Sequence, residues 1–485
     1  MEEQVEALVG AITEHSTTPA GLHRTLLPLL NKTNVAVFTG TLGGGRDPLE
    51  FLSVREHSLG VAFFLLHRLG AGGMTGVEVA RLVTVGCAFA AECDFAQMQG
   101  VPMLAVDVGL RMAGLWSPAR DTPPRSTPTI ASDTLPRAVA LLASRTSTAW
   151  GSVITPLHAA ATKLCLSAHC PSAALPLLTL PLAGVDVKRF GGSPLDILLF
   201  GYYGGRLACA LKDWDLADSL LTLAVCVPAS VISAVQIAAY STRTLVGVLL
   251  HGRLLPLPRF VSPCVLKAAK VHCQNYVDFA SAFDSLDYSR VSTEFTKHAD
   301  TFERDENLGL AKQCCSHLKR LAILQLTQTY VTLSLVDIAK LAHLADIPPP
   351  QSSSSPSSSP IHSDSSLAAL AERHLLAMSA SNLISCRISH STQMVSFFDQ
   401  PPLISSSKLH SAINSTIALT DRLAAFGLDV AKSKEFLTRS VGISERNGGA
   451  ASGGGGMYQG FGASALSLDD EMFGSSNALS GSTSE

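Results

Sequence analysis

Apolar residues keep a helical spacing along almost the whole chain. In Leu308–Tyr330, Leu310, Cys314, Leu318, Leu321 and Leu324 recur at steps of three and four. That spacing puts them on one helix face and leaves Lys312, Lys319 and Arg320 on the others. In Ala208–Pro228, Ala217, Leu221 and Ala224 keep the A-x3-F-x2-A spacing of a helix-turn-helix repeat, and a proline closes the unit. Such units predict a mainly α protein built on a right-handed, TPR-like helical-repeat solenoid.

The pattern changes further on. Ser334-Leu-Val-Asp337 has the form of a capping box that opens a helix running to about Leu344. Its serine oxygen takes a free N–H, and its acid complements the positive helix end. Leu367–Ala380 reads as another helix, followed by Ile384–Ile388, the polar turn Ser389-His-Ser-Thr-Gln393, and Met394–Phe398. Two short β-prone runs across a polar turn make a hairpin. Helix, helix, helix, hairpin is the order of a winged-helix unit. As the last strand, Met394, Val395, Ser396 and Phe397 are expected to leave free N–H and C=O groups that a partner's sheet can extend. The alternative is a hairpin that only caps its own domain.

From Leu409 onward, Leu409, Ala412, Thr416, Leu419, Leu423, Phe426 and Val430 alternate steps of three and four, about three heptads of a coiled-coil seam. Gly427 and the polar Thr416 weaken it, so this helix needs partner helices, with Leu419, Leu423 and Phe426 as anchors.

Stretches rich in Gly, Pro and Ser divide the chain. Insertions near 40–48 and 115–136 read as loops between helices. The segment 348–366 carries ten serines and five prolines in nineteen residues, too little apolar content for a core, and is expected to be disordered. The organisation expected is N-terminal repeats over 1–195 and a domain over 196–399. The latter divides into a helical part (196–306) and a winged helix (307–399). A C-terminal helix (403–432) and a disordered Gly/Ser tail (433–485) follow.

Composition narrows the function. Charged residues make up 15% of the 485, about ten points below the usual share, so much of the surface is expected to be covered by core or partners. Thirty-six basic against 39 acidic residues exclude a polyanion binder driven by bulk charge. The uncharged stretches Leu164–Val185 and Ser219–Thr242 are interrupted by proline and polar residues, so no membrane span is expected. The acidic start lacks the features of a secretory signal. The odd number of cysteines, eleven, without a CxxC pair, indicates buried thiols in a reducing compartment.

Candidate chemistry is sparse. Gly40-Thr-Leu-Gly-Gly-Gly45-Arg46-Asp47 lacks the Lys and Ser/Thr of a phosphate loop. The groups Cys165/His169/Cys170, His272/Cys273 and Cys314/Cys315/His317 lack the paired spacing of a structural zinc site. No nucleophile is accompanied by an evident base. No catalytic residue, cofactor or metal is therefore expected. A nucleic-acid reader would need cationic or amide groups on its recognition helix, and LAALAERHLLAMSA is mostly Ala and Leu.

Several stretches together carry a family resemblance. They are Arg55-Glu-His-Ser-Leu-Gly60, Tyr202-Tyr-Gly-Gly205, the run from Lys297 to Cys314 leading into Thr332-Leu-Ser-Leu-Val-Asp337, and Met394-Val-Ser-Phe397. Over about residues 50–430 the chain resembles the PCI family, and within it the branch that forms subunit 3 of the COP-9 signalosome. The resemblance implies a non-catalytic scaffold with a helical-repeat arm, a PCI domain ending in a winged helix, and a C-terminal helix that joins a bundle. It implies other signalosome subunits as partners, met through winged-helix edges and that bundle, with cullin-RING ligases engaged indirectly. It also implies no nucleic acid or membrane and a place in nucleus and cytoplasm. The parent complex removes a ubiquitin-like modifier from cullins and so governs ubiquitin-dependent degradation; its hydrolytic zinc belongs to another subunit. Within the same class, a proteasome-lid or initiation-factor PCI subunit is the other assignment. From another class, it is a nucleic-acid-binding winged helix.

Overall fold

The computed structural model describes residues 2–16, 21–43, 45–71, 76–115, 133–180, 184–229, 231–285, 288–344, 364–381, 383–398, 406–434 and 436–438. The disorder expected of 348–366 and of the tail falls mostly outside these residues. Where the two overlap, the structure differs. Residues 364–366 already belong to a helix, and 434 and 436–438 are helical.

The chain divides into Met1–Phe398 and the part from Asp399 onward. The first unit begins with α1 (Glu2–His15), α2 (Ser58–Gly70), α3 (Gly76–Glu92), α4 (Met103–Gly114), α5 (Thr134–Ala149) and α6 (Pro156–Ser167). It continues with α7 (Pro194–Leu211), α8 (Trp214–Cys226), α9 (Ala234–His251), α10 (Pro263–His272), α11 (Gln274–Asp284), α12 (Tyr288–Lys297) and α13 (Leu308–Thr329). Shorter helical turns join them. Then come β1 (Thr332–Ser334), α14 (Leu335–Leu341), α15 (Asp364–Ala380), β2 (Ser385–Ser389) and β3 (Met394–Phe398). The second unit contributes α16 (Ser406–Lys432).

Local chemistry explains the boundaries. Three helices open on a reciprocal capping box, at Thr155, Ser193 and Ser233. Each box satisfies two of the N–H groups a helix start leaves unpaired. Lys212, at φ +62, ends α7 in a left-handed turn, and the Asp213 carboxylate accepts from Leu216 N to start α8 at once. The turn is so short that α7 and α8 pack antiparallel. Ala217, Leu221 and Ala224 are all fully buried in that pair, as the repeat spacing requires.

Three apolar cores follow one another. The first runs from Val5 to Leu220, the second from Leu198 to Leu318, and the third from Ile323 to Phe397. Helix α13 spans the last two: Ala311, Cys314 and Leu318 face one core and Ile323 the other. Lys319 departs from the outward position its spacing suggested. It is only 7% exposed, and its ammonium donates to the carbonyl of Leu344 at 3.0 Å. A cation at a helix C-terminus answers carbonyls that have no helical partner, which makes the burial tolerable.

Candidate interaction surfaces

The three strands form one sheet in the order β1-β3-β2, antiparallel throughout. Thr332, Leu333 and Ser334 oppose Ser396, Val395 and Met394, while Ser385–Ser389 run from Phe398 back to Met394 on the other side. β3 is therefore the central strand, and Met394–Phe397 cannot offer the free edge expected of them. Both of their backbone faces are taken, and Val395 and Phe397 are buried beneath the sheet. The missed element is β1, three residues that end on the capping serine itself. Its signal, the β-branched Val331-Thr332 just past the end of α13, is too short to identify from sequence. Within the described residues, the unpaired edges belong to β2 and β1.

Next to β2, Leu383 and Phe398 are each about half exposed, and the Arg387 guanidinium lies 5.6 Å above the Phe398 ring. At the start of α14 the Ser334 hydroxyl caps the helix as expected, but the reciprocal bond of a full capping box, from the Ser334 N–H to Asp337, does not form. Asp337 N donates to Ser334 Oγ at 3.1 Å, and that hydroxyl donates to the Asp337 carboxylate at 2.6 Å.

The second surface is α16. All its described side chains are exposed. Leu419, Leu423 and Phe426 expose 57%, 70% and 60% of their surface. Leu409, Ile413, Ile417 and Leu428 add to the apolar surface, and of these only Leu409 belongs to the heptad seam. Ile413 and Ile417 escaped because the strict a/d count followed Thr416, whereas a straight helix drifts relative to a heptad and brings neighbouring positions onto the same face.

The remaining motif residues are structural. His57 Nδ1 shares a hydrogen with Ser16 Oγ across 41 residues, and Ser58 Oγ accepts from Asp94 N at 2.8 Å. A Cβ at Gly60 would meet Ile12 Cγ2 at 2.7 Å. The Arg55–Gly60 stretch is thus where α1 and α2 touch. Gly201, Gly204 and Gly205 form the contact face of α7 on α8, where a Cβ at Gly205 would meet Leu221 Cγ at 2.6 Å. Two distant blocks also meet: Arg206 donates to Tyr202 Oη at 3.2 Å and to Glu306 at 3.3 Å. Below them, Tyr276 Oη donates to Asp305 at 2.9 Å and accepts from Asn307 Nδ2 at 3.2 Å. This network ties α11 to the turn ahead of α13.

Among the described residues no three His, Cys, Asp or Glu side chains converge as metal donors. Burial pushes the thiols of Cys165 and Cys209 up to about 12 and raises that of Cys314 too, which keeps them protonated and inert. Among the same residues no helix is long and apolar enough to cross a membrane.

Comparison with known proteins gives two family matches. Residues 26–265 match the N-terminal helical repeats of COP9 signalosome complex subunit 3, and residues 295–399 match the PCI domain. The COP9 signalosome complex subunit 3 of Arabidopsis thaliana is 27% identical over 386 residues, 78% of this chain and 80% of the relative. That of Dictyostelium discoideum is 29% identical over 191 residues, 39% of this chain and 46% of the relative.

Proposed function

Since the chain belongs to the COP9 signalosome subunit 3 family, with that family's helical repeats ahead of a PCI domain, we propose that it is a scaffold subunit of this complex, acting through protein surfaces and catalysing nothing itself. Its contribution to cullin deneddylation, and so to control of cullin-RING ubiquitin ligases, is to hold other subunits in place. The observation that carries the reading is α16, a helix of 27 residues whose large apolar side chains are all exposed. Burying a Leu or Phe is worth about 1.5–3 kcal/mol, so such a helix gains its stability by joining others. Leu419, Leu423 and Phe426 are its anchors in a bundle with partner subunits. The winged helix provides the second contact, with β2 rather than β3 as the strand that a neighbouring sheet extends.

The test is Phe426→Asp. A charge placed within a helix bundle costs several kcal/mol, whereas on an exposed position of an isolated helix it costs little. The variant is expected to keep the wild-type melting profile yet elute as a free chain, where wild type co-elutes with other signalosome subunits. Full co-elution of a folded Phe426→Asp chain would remove the bundle from the proposal. If wild type co-elutes instead with proteasome-lid or translation-factor subunits, the scaffold role stands and the complex changes.

A further inference from the structure

Between Asp218 and Asp278 the chain carries no acidic residue. Of the cations in that span, Arg243 is buried and paired with Asp218 at 3.2 Å. Arg259, Lys267 and Lys270 are exposed, and none of the three has an ion pair or hydrogen bond with a described residue. Helix geometry gathers the two lysines. Val265 and Ala269, each 1% exposed, turn one side of α10 into the second core. Pro263, Lys267, Lys270 and Val271, spaced i, i+4, i+7 and i+8, form a single stripe on the opposite side, and all four are exposed. Ahead of the helix, Val261 N donates to Pro258 O at 3.2 Å, closing a turn whose two corner residues are Arg259 and Phe260. Ser262 Oγ donates to Ala229 O at 3.3 Å and ties the end of that turn to the loop before α9. Phe260 stands three residues before Pro263, so it lies within about 10 Å of the head of the stripe. Its ring is 77% exposed, and Val271 is 74% exposed.

Cations held on one rigid face without carboxylates beside them complement a ligand of opposite sign, and apolar side chains among them add area that water leaves unsatisfied. We propose that the outer face of α10, with the Arg259-Phe260 turn at its head, is a docking site for an acidic amphipathic segment of a partner protein. Its carboxylates are received by Arg259, Lys267 and Lys270, and its apolar side chains cover Phe260 and Val271. A nucleic-acid duplex fits less well. Three cations neutralise three phosphates, a salt slope of about −3, where proteins that rely on phosphate contacts make roughly 6–10, and a phosphate backbone leaves Phe260 and Val271 uncovered. An anionic membrane also attracts cations, but a membrane-surface helix turns its apolar stripe outward, whereas α10 turns its own into the core. The proposal goes beyond the scaffold reading and rests on this face alone, so its failure leaves that reading untouched.

The test uses the full-length chain and the fluorescein-labelled peptide Glu-Glu-Leu-Glu-Glu-Leu, followed by fluorescence anisotropy at low and moderate salt. Wild type is expected to bind it, more weakly as salt rises. The peptide Gln-Gln-Leu-Gln-Gln-Leu is expected to bind at least about tenfold more weakly, a loss of about 1.4 kcal/mol, and this comparison needs no variant. Lys267→Glu/Lys270→Glu is expected to lose the preference for the acidic peptide, and Phe260→Ser/Val271→Ser to weaken both peptides. Lys163→Glu/Lys188→Glu makes the same change in net charge on exposed side chains of the N-terminal repeats and is expected to bind as wild type does. Circular dichroism verifies that the variants are folded. Absence of wild-type binding, equal binding of the two peptides, an undiminished preference in Lys267→Glu/Lys270→Glu, or unchanged binding by Phe260→Ser/Val271→Ser would each overturn the proposal. So would equal weakening by Lys163→Glu/Lys188→Glu, which would reduce the effect to bulk charge. Displacement of the acidic peptide by phosphatidylserine vesicles, but not by phosphatidylcholine vesicles, would replace the partner protein with a membrane.

Discussion

Gly201→Ala and Gly10→Ala make one chemical change in two helices, and the structure predicts opposite signs. Replacing Gly by Ala within a helix gains about 0.8–1 kcal/mol from propensity alone. At Gly10, inside α1, an added Cβ meets nothing within 4 Å, so the full gain is available. At Gly201 in α7 the same atom would lie 2.8 Å from the backbone oxygen of Leu220, 3.0 Å from Ala224 N and 3.1 Å from Ala224 Cβ. Two of these neighbours are backbone atoms of α8, which no change of rotamer can move. Relief requires α7 and α8 to separate, loosening the fully buried Leu221 and Ala224. Overpacking a tight site costs about 1–3 kcal/mol, and a backbone clash belongs at the upper end. Against the propensity gain, the net loss at Gly201 is about 1–2 kcal/mol, a fall in melting temperature of a few degrees by the scaling of roughly 2–4 °C per kcal/mol for domains of 150–250 residues. Differential scanning calorimetry of the full-length variants measures both. A Gly201→Ala chain as stable as Gly10→Ala would show that the Tyr202-Tyr-Gly-Gly205 region does not hold α7 against α8 by close approach.

Further expectations concern buried polar groups and thiols. Arg68 donates to Phe38 O and Gly40 O, each at 2.9 Å, and pairs with Asp47 at 2.6 Å. Arg68→Ala takes this donor from the Phe38 and Gly40 carbonyls and leaves Asp47 with only Leu49 N and Arg81, at a cost of about 2 kcal/mol; limited proteolysis should cut between 40 and 48 first, and an unchanged cleavage map would refute this. His158, fully buried on Thr155 and Ser147, has its pKa lowered to about 4, mainly by burial. The unfolded chain, with an ordinary histidine, binds the extra proton first, so stability is complete above about pH 6.5 and is lost as the pH falls toward 4. Urea midpoints should record about 2 kcal/mol lost to this group between pH 7.5 and 5, and a stability independent of pH there would refute the assignment. Maleimide labelling at neutral pH should modify the exposed Cys264 well before the buried Cys165 and Cys314; simultaneous labelling, read by mass spectrometry, would show the core opening.

How much of the molecule the sequence determined depends on the range of the interactions. Periodicity, capping and turn chemistry act over a few residues. The repeat pair around Ala217, the Ser334 helix cap, the hairpin and the long C-terminal helix were therefore legible without coordinates. The dearth of charge and the absence of converging chemistry likewise pointed to a protein that works through surfaces. Only the tertiary structure decided which strand edges and side chains lie exposed. A three-residue strand carries almost no periodic signal, yet by pairing with β3 it moves the sheet's free edges to β1 and β2. Lys319 read as solvent-facing because spacing says nothing of a carbonyl 25 residues away that would receive its charge. The glycines of the Tyr202 stretch and the histidine of the Arg55 stretch looked like motif residues, and only the packing of α7 on α8 and of α1 on α2 shows that they are contacts. Pairings across long stretches of chain are set by which helices come together, and that depends on the whole fold.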